Sequence, residues 1–148
     1  MNIEKYALRA ESSFTVFEFT SEGSKGVIPK LIQFQATIEP NLYNLAFGDK
    51  DTETAKINDL AVSNNGDTEK VLATVVAALY AFFDNYPGAF VYATGSTKAR
   101  TRLYRMSITR FYHEMIRDFY VYGQVGNDFV EFEPGKDYVA FLCQRKFD

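Results

Sequence analysis

YVYGQVGNDFVEFEPGKDYVAFLCQRK, residues 120–146, is the stretch on which the fold class turns. It divides into three aromatic and β-branched runs, YVYGQV (120–125), DFVEFE (128–133) and YVAFLCQRK (138–146). Gly126-Asn127 separates the first two, and Pro134-Gly135-Lys136-Asp137 the last two. Such residues supply the backbone angles that tight hairpins need, so the chain closes as an antiparallel meander.

Working backwards, two helical patterns and several further strands precede the meander. FTVFEFT (14–20) reads as a strand ending in the Gly-rich turn SEGSKG (21–26). KLIQFQATI (30–38) alternates, with Ile32, Phe34, Ala36 and Ile38 on one side and Gln33, Gln35 and Thr37 on the other. That period of two marks a strand with one buried face. LYNLAFGD (42–49) continues the sheet, and AKINDLAV (55–62) is a candidate short edge strand. SNNGD (63–67) signals a helix start, with Asp67 or a neighbouring Asn as cap. The helix it opens runs to Asn85, before Tyr86-Pro87-Gly88, and is apolar on nearly all sides, which predicts deep burial. AFVYAT (89–94) is a short strand, and Gly95 leads into a second helix ending near Phe119. The order β-β-β-α-β-α-β-β-β predicts an α+β fold: a largely antiparallel sheet of six to seven strands packed with two helices. Strands arriving in runs argue against a doubly wound parallel sheet.

Composition bounds the rest. The 148 residues suit one globular domain, 1–148, able to bury about 70% of its unfolded surface. Fourteen Phe and ten Tyr with no Trp favour strands. The single cysteine, Cys143, excludes an internal disulfide and a cysteine zinc cluster. No secretory pattern opens the chain, and the longest apolar run, 71–83, is too short to span a bilayer. These features predict a cytoplasmic location and no membrane partner.

Charge is unevenly distributed. The net charge is −3, yet residues 96–118 hold six cations (Lys98, Arg100, Arg102, Arg105, Arg110, Arg117) against two anions (Glu114, Asp118). The segment is therefore basic by four and the remainder acidic by seven, so any attraction of a polyanion is local. TGSTKARTRLYR (94–105) places a strand, a Gly-Ser-Thr turn and a helix start in succession. Free amides and the positive end of the helix dipole lie there, with Ser96 or Thr97 as cap. Cations at that end are misplaced by about 0.3–1 kcal/mol each, which an anionic ligand or an internal carboxylate would offset. Lys98, Arg102, Arg105, Thr109 and His113 share one stripe at 100° per residue, whereas Arg100 points toward the Tyr104 and Phe111 side. A buried Arg100 needs a partner, either a carboxylate of the protein or a phosphate from outside.

Known motifs narrow the chemistry. GSTKART lacks Walker A spacing. It has the Gly-Ser-x-x-Arg turn of minimal nucleotidyltransferases but no acidic pair following it to hold magnesium. His113, the only histidine, is a candidate base for RNA cleavage, with Tyr104 as an alternative proton carrier; both are equally readable as structural. One His and one Cys thirty residues apart make no metal site, and no cofactor is implied. The acids of FGDKDTETAKIND (47–59) fit no EF-hand and read as a solvated loop. SEGSKG with Lys25 and Lys30, and SNNGD with Asn65 and Lys70, are ordinary turn chemistry unless the fold brings them beside Gly95 and Ser96. In that case the three segments would frame a polar cavity for a phosphate or nucleotide.

SEGSKGVIPK, NLAFGD, SNNGDTEKVLATV, GSTKARTRLYRM and FLCQRK resemble an uncharacterised family of small Bacteroidota-type bacterial proteins. The resemblance spans nearly the whole chain and implies an intracellular, single-domain bacterial protein with no established activity. Three roles remain open. The leading one is binding of a phosphate-bearing small molecule, nucleotide or RNA, through Gly95, Ser96, Thr97, Arg100, Arg102 and Arg105. The others are a toxin-like ribonuclease using His113 or Tyr104, and an interaction module whose basic helix docks an acidic protein. Oligomeric state is open.

Overall fold

A computed structural model describes residues 4–58, 64–95 and 97–147. Among these, the chain runs β1 (Arg9–Ala10), β2 (Val16–Gly23), β3 (Gly26–Ala36), β4 (Leu42–Lys50), β5 (Ile57–Asn58), α1 (Thr68–Asn85), β6 (Phe90–Ala93), α2 (Lys98–Arg110), α3 (Tyr112–Asp118), β7 (Phe119–Val125), β8 (Asp128–Glu131) and β9 (Ala140–Arg145). One sheet holds all the strands in the order β1-β2-β3-β4-β6-β9-β7-β8, with β5 also paired to β4. Only β4–β6 is parallel; the other pairings are antiparallel. The fold is α+β. β7 and β8 form the expected hairpin, but β9 pairs with β7 and β6 rather than with β8, so the closing strands are not the expected meander: the chain after β8 crosses back to the far side of β7.

Two differences from the sequence reading concern counting. The two-residue strands β1 and β5 add to the sheet; residues 59–62 of the candidate edge strand lie outside the described residues. The basic helix is also two helices, because Phe111 departs from helical angles at φ −111° and ψ 24°. Hydrogen bonds continue on both sides of the break, from Phe111 N to Ser107 O and from Met115 N to Phe111 O. No Gly or Pro marks this position, so nothing local announces it. A third difference concerns register. Ile32 and Phe34 are buried as the alternation predicts, but β3 ends at Ala36 and Ile38 is 98% exposed in the turn beyond.

Strand parity places the core. Phe17, Phe19, Ile32, Phe34, Leu45, Phe47, Val91, Phe119, Val121, Phe141 and Cys143 all point to the side carrying the helices. α1 is buried continuously from Val71 to Val76 and again at Ala78, Leu79, Phe82 and Phe83, as its all-round apolar sequence requires. Phe82 is the hub: its ring stacks 4.2 Å from Phe34 and meets Tyr43, Phe83 and Tyr86 at 5.0, 5.6 and 4.9 Å. The N-terminal segment lies on this same side, with the Tyr6 amide donating to the Thr74 hydroxyl at 2.9 Å and the Tyr6 ring stacked on Phe19. No helix among the described residues is long and apolar enough to cross a membrane.

Candidate anion site

The start of α2 is built as the sequence suggested, and its polar groups are used locally. Thr97 is the N-cap, in extended conformation, and its hydroxyl accepts from Arg100 N at 3.2 Å. The Gly95 amide donates to the Thr101 hydroxyl at 2.9 Å. Gly95 must be small, since a Cβ there would fall 2.4 Å from the Arg100 Cβ and 2.5 Å from Thr101 N. Ser96 lies outside the described residues.

Arg100 is buried beside β4. Among the described residues, β4 pairs with β6 through Leu42–Leu45 and with β5 through Asp49–Lys50. The Arg100 guanidinium reaches β5 next to Gly48, where Nη2 donates to the Asn58 carbonyl at 2.8 Å. Gly48 makes the room: a Cβ would lie 2.9 Å from Arg100 Nη2 and 2.7 Å from the Ile57 Cγ2. One turn on, Tyr104 is 3% exposed, and burial pushes its phenol up to about 12, with Arg100 and the Phe47 backbone pulling slightly the other way. At neutral pH it is a protonated core residue, poorly suited to carry protons.

Beside Arg100 opens a hollow of about 390 Å³. β3 and β4 contribute Lys30, Phe47, Gly48 and Asp49; the approach to α1 contributes Asn64, Asn65, Asp67, Thr68 and Val71; α2 contributes Ala99, Arg100, Arg102, Leu103 and Met106. Lys30 and Asp49 are cross-strand neighbours and form a buried ion pair at 2.6 Å. Both continue the buried parity of their strands, Lys30 after Ile32 and Asp49 after Phe47. A buried pair of this kind is weak evidence for stability but strongly resists loss of one partner.

Asn65, only 1% exposed, joins the hairpin turn to the helix start. Its side-chain amide donates to Ser21 Oγ at 3.1 Å and Gly26 O at 2.9 Å, while its Oδ1 accepts from Lys25 N at 2.6 Å. Asp67 stands at the N-cap position of α1 yet makes no capping bond, contrary to the sequence expectation. Its carboxylate instead accepts from the Tyr6 and Ser21 hydroxyls. Two competing hydroxyl donors outweigh the local amide, so the first-turn amides of α1 have no side-chain cap.

The sequence-selected residues thus divide. Lys30, Asn65, Arg100 and Arg102 meet at the hollow, drawn from all three segments. Gly95, Thr97 and Arg105 line a second, more open depression of about 690 Å³ on the other flank of α2, where Arg105 pairs with Asp137. Arg102 borders both and makes no hydrogen bond or ion pair with any described residue. Lys25 engages the hairpin only through its backbone, and Lys70 lies 4.3 Å over the Tyr6 ring and 3.7 Å from Glu4. His113 is exposed on α3, with its ring edge-on to Tyr112 at 5.6 Å. It lies beyond the break at Phe111, on a different helix from Arg102. Asp49, Phe47 and Met106 were missed as lining groups; the signal for Asp49 was a charge on the buried parity directly after a strand glycine.

A model of the Family of unknown function (DUF6934) matches residues 2–146. No curated protein and no solved structure matches the chain. With a match over nearly its whole length, the chain belongs to this family of unknown function.

Proposed function

We propose that the hollow binds a small phosphate-bearing molecule of nucleotide size. The observation that carries this reading is the meeting of Lys30, Arg100 and Arg102, from separate parts of the chain, on one concave wall with an apolar side of Phe47, Val71, Leu103 and Met106. A volume of about 390 Å³ falls within the range of small-molecule sites. The starts of α1 and α2 border it, so both helix dipoles favour negative charge there. Arg100 is held in place by Asn58, which limits the ordering cost of binding, and Arg102 is unengaged and able to turn onto a phosphate. Asp67 and the Asn64 side chain are acceptors suited to ligand hydroxyl or amino groups, and Phe47 with Met106 offers a surface for a flat ring.

Calorimetric titration of purine and pyrimidine mononucleotides, inorganic phosphate and a short RNA tests this. Losing a charge-assisted hydrogen bond of about 1.5–3 kcal/mol should make Arg102→Ala bind roughly 10- to 150-fold more weakly. Its melting temperature should hardly move, since the side chain is exposed and unpaired. Lys25→Ala should bind like wild type. Equal affinity of wild type and Arg102→Ala for every probe, or no binding by wild type, would remove the proposal.

A further inference from the structure

All three helices lie on one side of the sheet, so the opposite face has no covering layer among the described residues. Half-open antiparallel sheets ordinarily turn polar residues outward. Here the centre of the outward face is aromatic and aliphatic. Register aligns Leu42, Phe90, Gln144 and Tyr120 in one cross-strand row. The adjacent row is Asn44, Tyr92, Leu142 and Tyr122. Phe129 of β8 extends the patch, 6.1 Å from the Tyr92 ring, and Tyr92 donates to the Gln124 side chain at 2.7 Å. Tyr120 and Phe129 are 48% and 43% exposed. The eight residues of these rows on β4, β6, β9 and β7 are uncharged, although Glu131 continues the second row onto β8 and the Lys146 ammonium lies 5.2 Å over the Tyr120 ring. Charges stand at the margins: Glu131 at the β8 edge, and Glu18 with Lys50, an ion pair at 2.5 Å, toward β2.

We infer that this face packs against the same face of a second copy of the chain, giving a two-fold dimer with the sheets stacked and the helices outermost. Two features select a copy of itself over another occupant. First, a patch with an uncharged centre packs on itself without opposing like charges there, which a two-fold interface would otherwise force. Its Tyr- and Phe-rich, charge-depleted composition is that of an interface centre, whereas a polyanion would need cations that these rows lack. Second, the size fits. Strands spaced about 4.8 Å apart and alternate residues about 6.8 Å apart give the rows from β4 to β8 an area of roughly 400–500 Å². Adding the polar surround on β2 and β3 brings it to about 700 Å², close to the roughly 800 Å² per partner of a standard interface. Side chains of two such faces would interdigitate at the usual spacing of about 10 Å between sheets.

Sedimentation velocity and light scattering on the full chain test the inference. Wild type should run at twice 16.9 kDa. The double variant Tyr120→Lys/Phe129→Lys should run as a monomer at the same concentration, with association weakened at least about 100-fold by two unpaired charges at the interface. Both positions are over 40% exposed in the single chain. The monomeric variant should therefore keep its circular dichroism spectrum, and Leu142→Gln, a neutral change, should give an intermediate dissociation constant. A wild-type monomer at roughly 100 μM, a concentration at which even weak dimers form, would overturn the proposal. So would a dimer that persists in the double variant, or a variant that dissociates only because it unfolds.

Discussion

Gly48→Ala is the sharpest test of how Arg100 is seated. Two opposing terms set its sign. A strand glycine replaced by alanine should gain about 0.5–1 kcal/mol from reduced backbone freedom in the unfolded chain. Against this, the new Cβ would sit 2.9 Å from Arg100 Nη2, 3.3 Å from its Cζ and 2.7 Å from Ile57 Cγ2. Ile57 is a side-chain end on a two-residue edge strand and gives way cheaply. The guanidinium does not, because moving it breaks the 2.8 Å bond to Asn58 O in a site where Arg100 is 7% exposed. Overpacking of this kind costs about 1–3 kcal/mol, so the net effect is a loss. At about 2.1 cal/mol/K per residue, a chain of 148 residues has an unfolding entropy near 0.3 kcal/mol/K, so a net loss of up to about 2.5 kcal/mol should lower the melting temperature by up to about 8 °C. The discriminating measurement is a double-mutant cycle by urea unfolding. In an Arg100→Ala background the obstacle is gone, and Gly48→Ala should become neutral or stabilising, a coupling of at least about 1 kcal/mol. An equal cost in both backgrounds would refute the assignment of Gly48 as the space for Arg100.

Two further outcomes follow from the core. Burial raises the Tyr104 phenol and the Cys143 thiol to about 12, from ordinary values of 10.0 and 9.0. The folded chain therefore holds both protons after the unfolded chain has released them. Their stabilisation is complete below pH 9 and is withdrawn as pH rises toward 12, at about 1.4 kcal/mol per pH unit for each group. Urea midpoints at pH 8 and pH 11 should show this fall, and Tyr104→Phe with Cys143→Ala should reduce it, leaving the part owed to Tyr80 and Tyr6, whose phenols burial also raises. The same burial should leave Cys143 unreactive to a thiol reagent at pH 8 until denaturant is added. Phe82→Ala, which empties the hub of the aromatic cluster, should cost about 3–5 kcal/mol by calorimetry; a cost below 1 kcal/mol would place the core elsewhere.

Much of the fold was legible because period and punctuation coincide. Gly126 takes φ 60° in the β7–β8 turn, so the residue that marked that hairpin is one whose backbone conformation makes it, whereas Gly135, at φ 87°, turns the chain toward the far side of β7 and forms no second hairpin. α1 was legible from an apolar sequence that only a central helix can bury. What escaped notice lacks local punctuation. The break at Phe111 occurs in a run with neither Gly nor Pro, and the strand β1 exists only through its partner. Ile38 shows the converse failure, in which alternation outlasts the strand: a polar turn after Ala36 removed the neighbour that would have covered it.

The cationic turn was readable as a helix start and Arg100 as a buried residue, because 3.6-residue geometry fixes the side each residue faces. The location of the hollow was not readable there, because it depends on β3, β4, α1 and α2 coming together in space, which places Lys30, Asp49 and Arg100 on a common wall. A charge that continues the buried parity of a strand must find its counterpart across the ladder, and Lys30 and Asp49 do so in adjacent strands. The pairing fixes both side chains on the wall of the hollow before any ligand arrives. Arg102 is then the one cation of the three with freedom to move, so affinity should respond to Arg102 and fold stability to Arg100. A titration in which the two substitutions exchanged these effects would contradict the division.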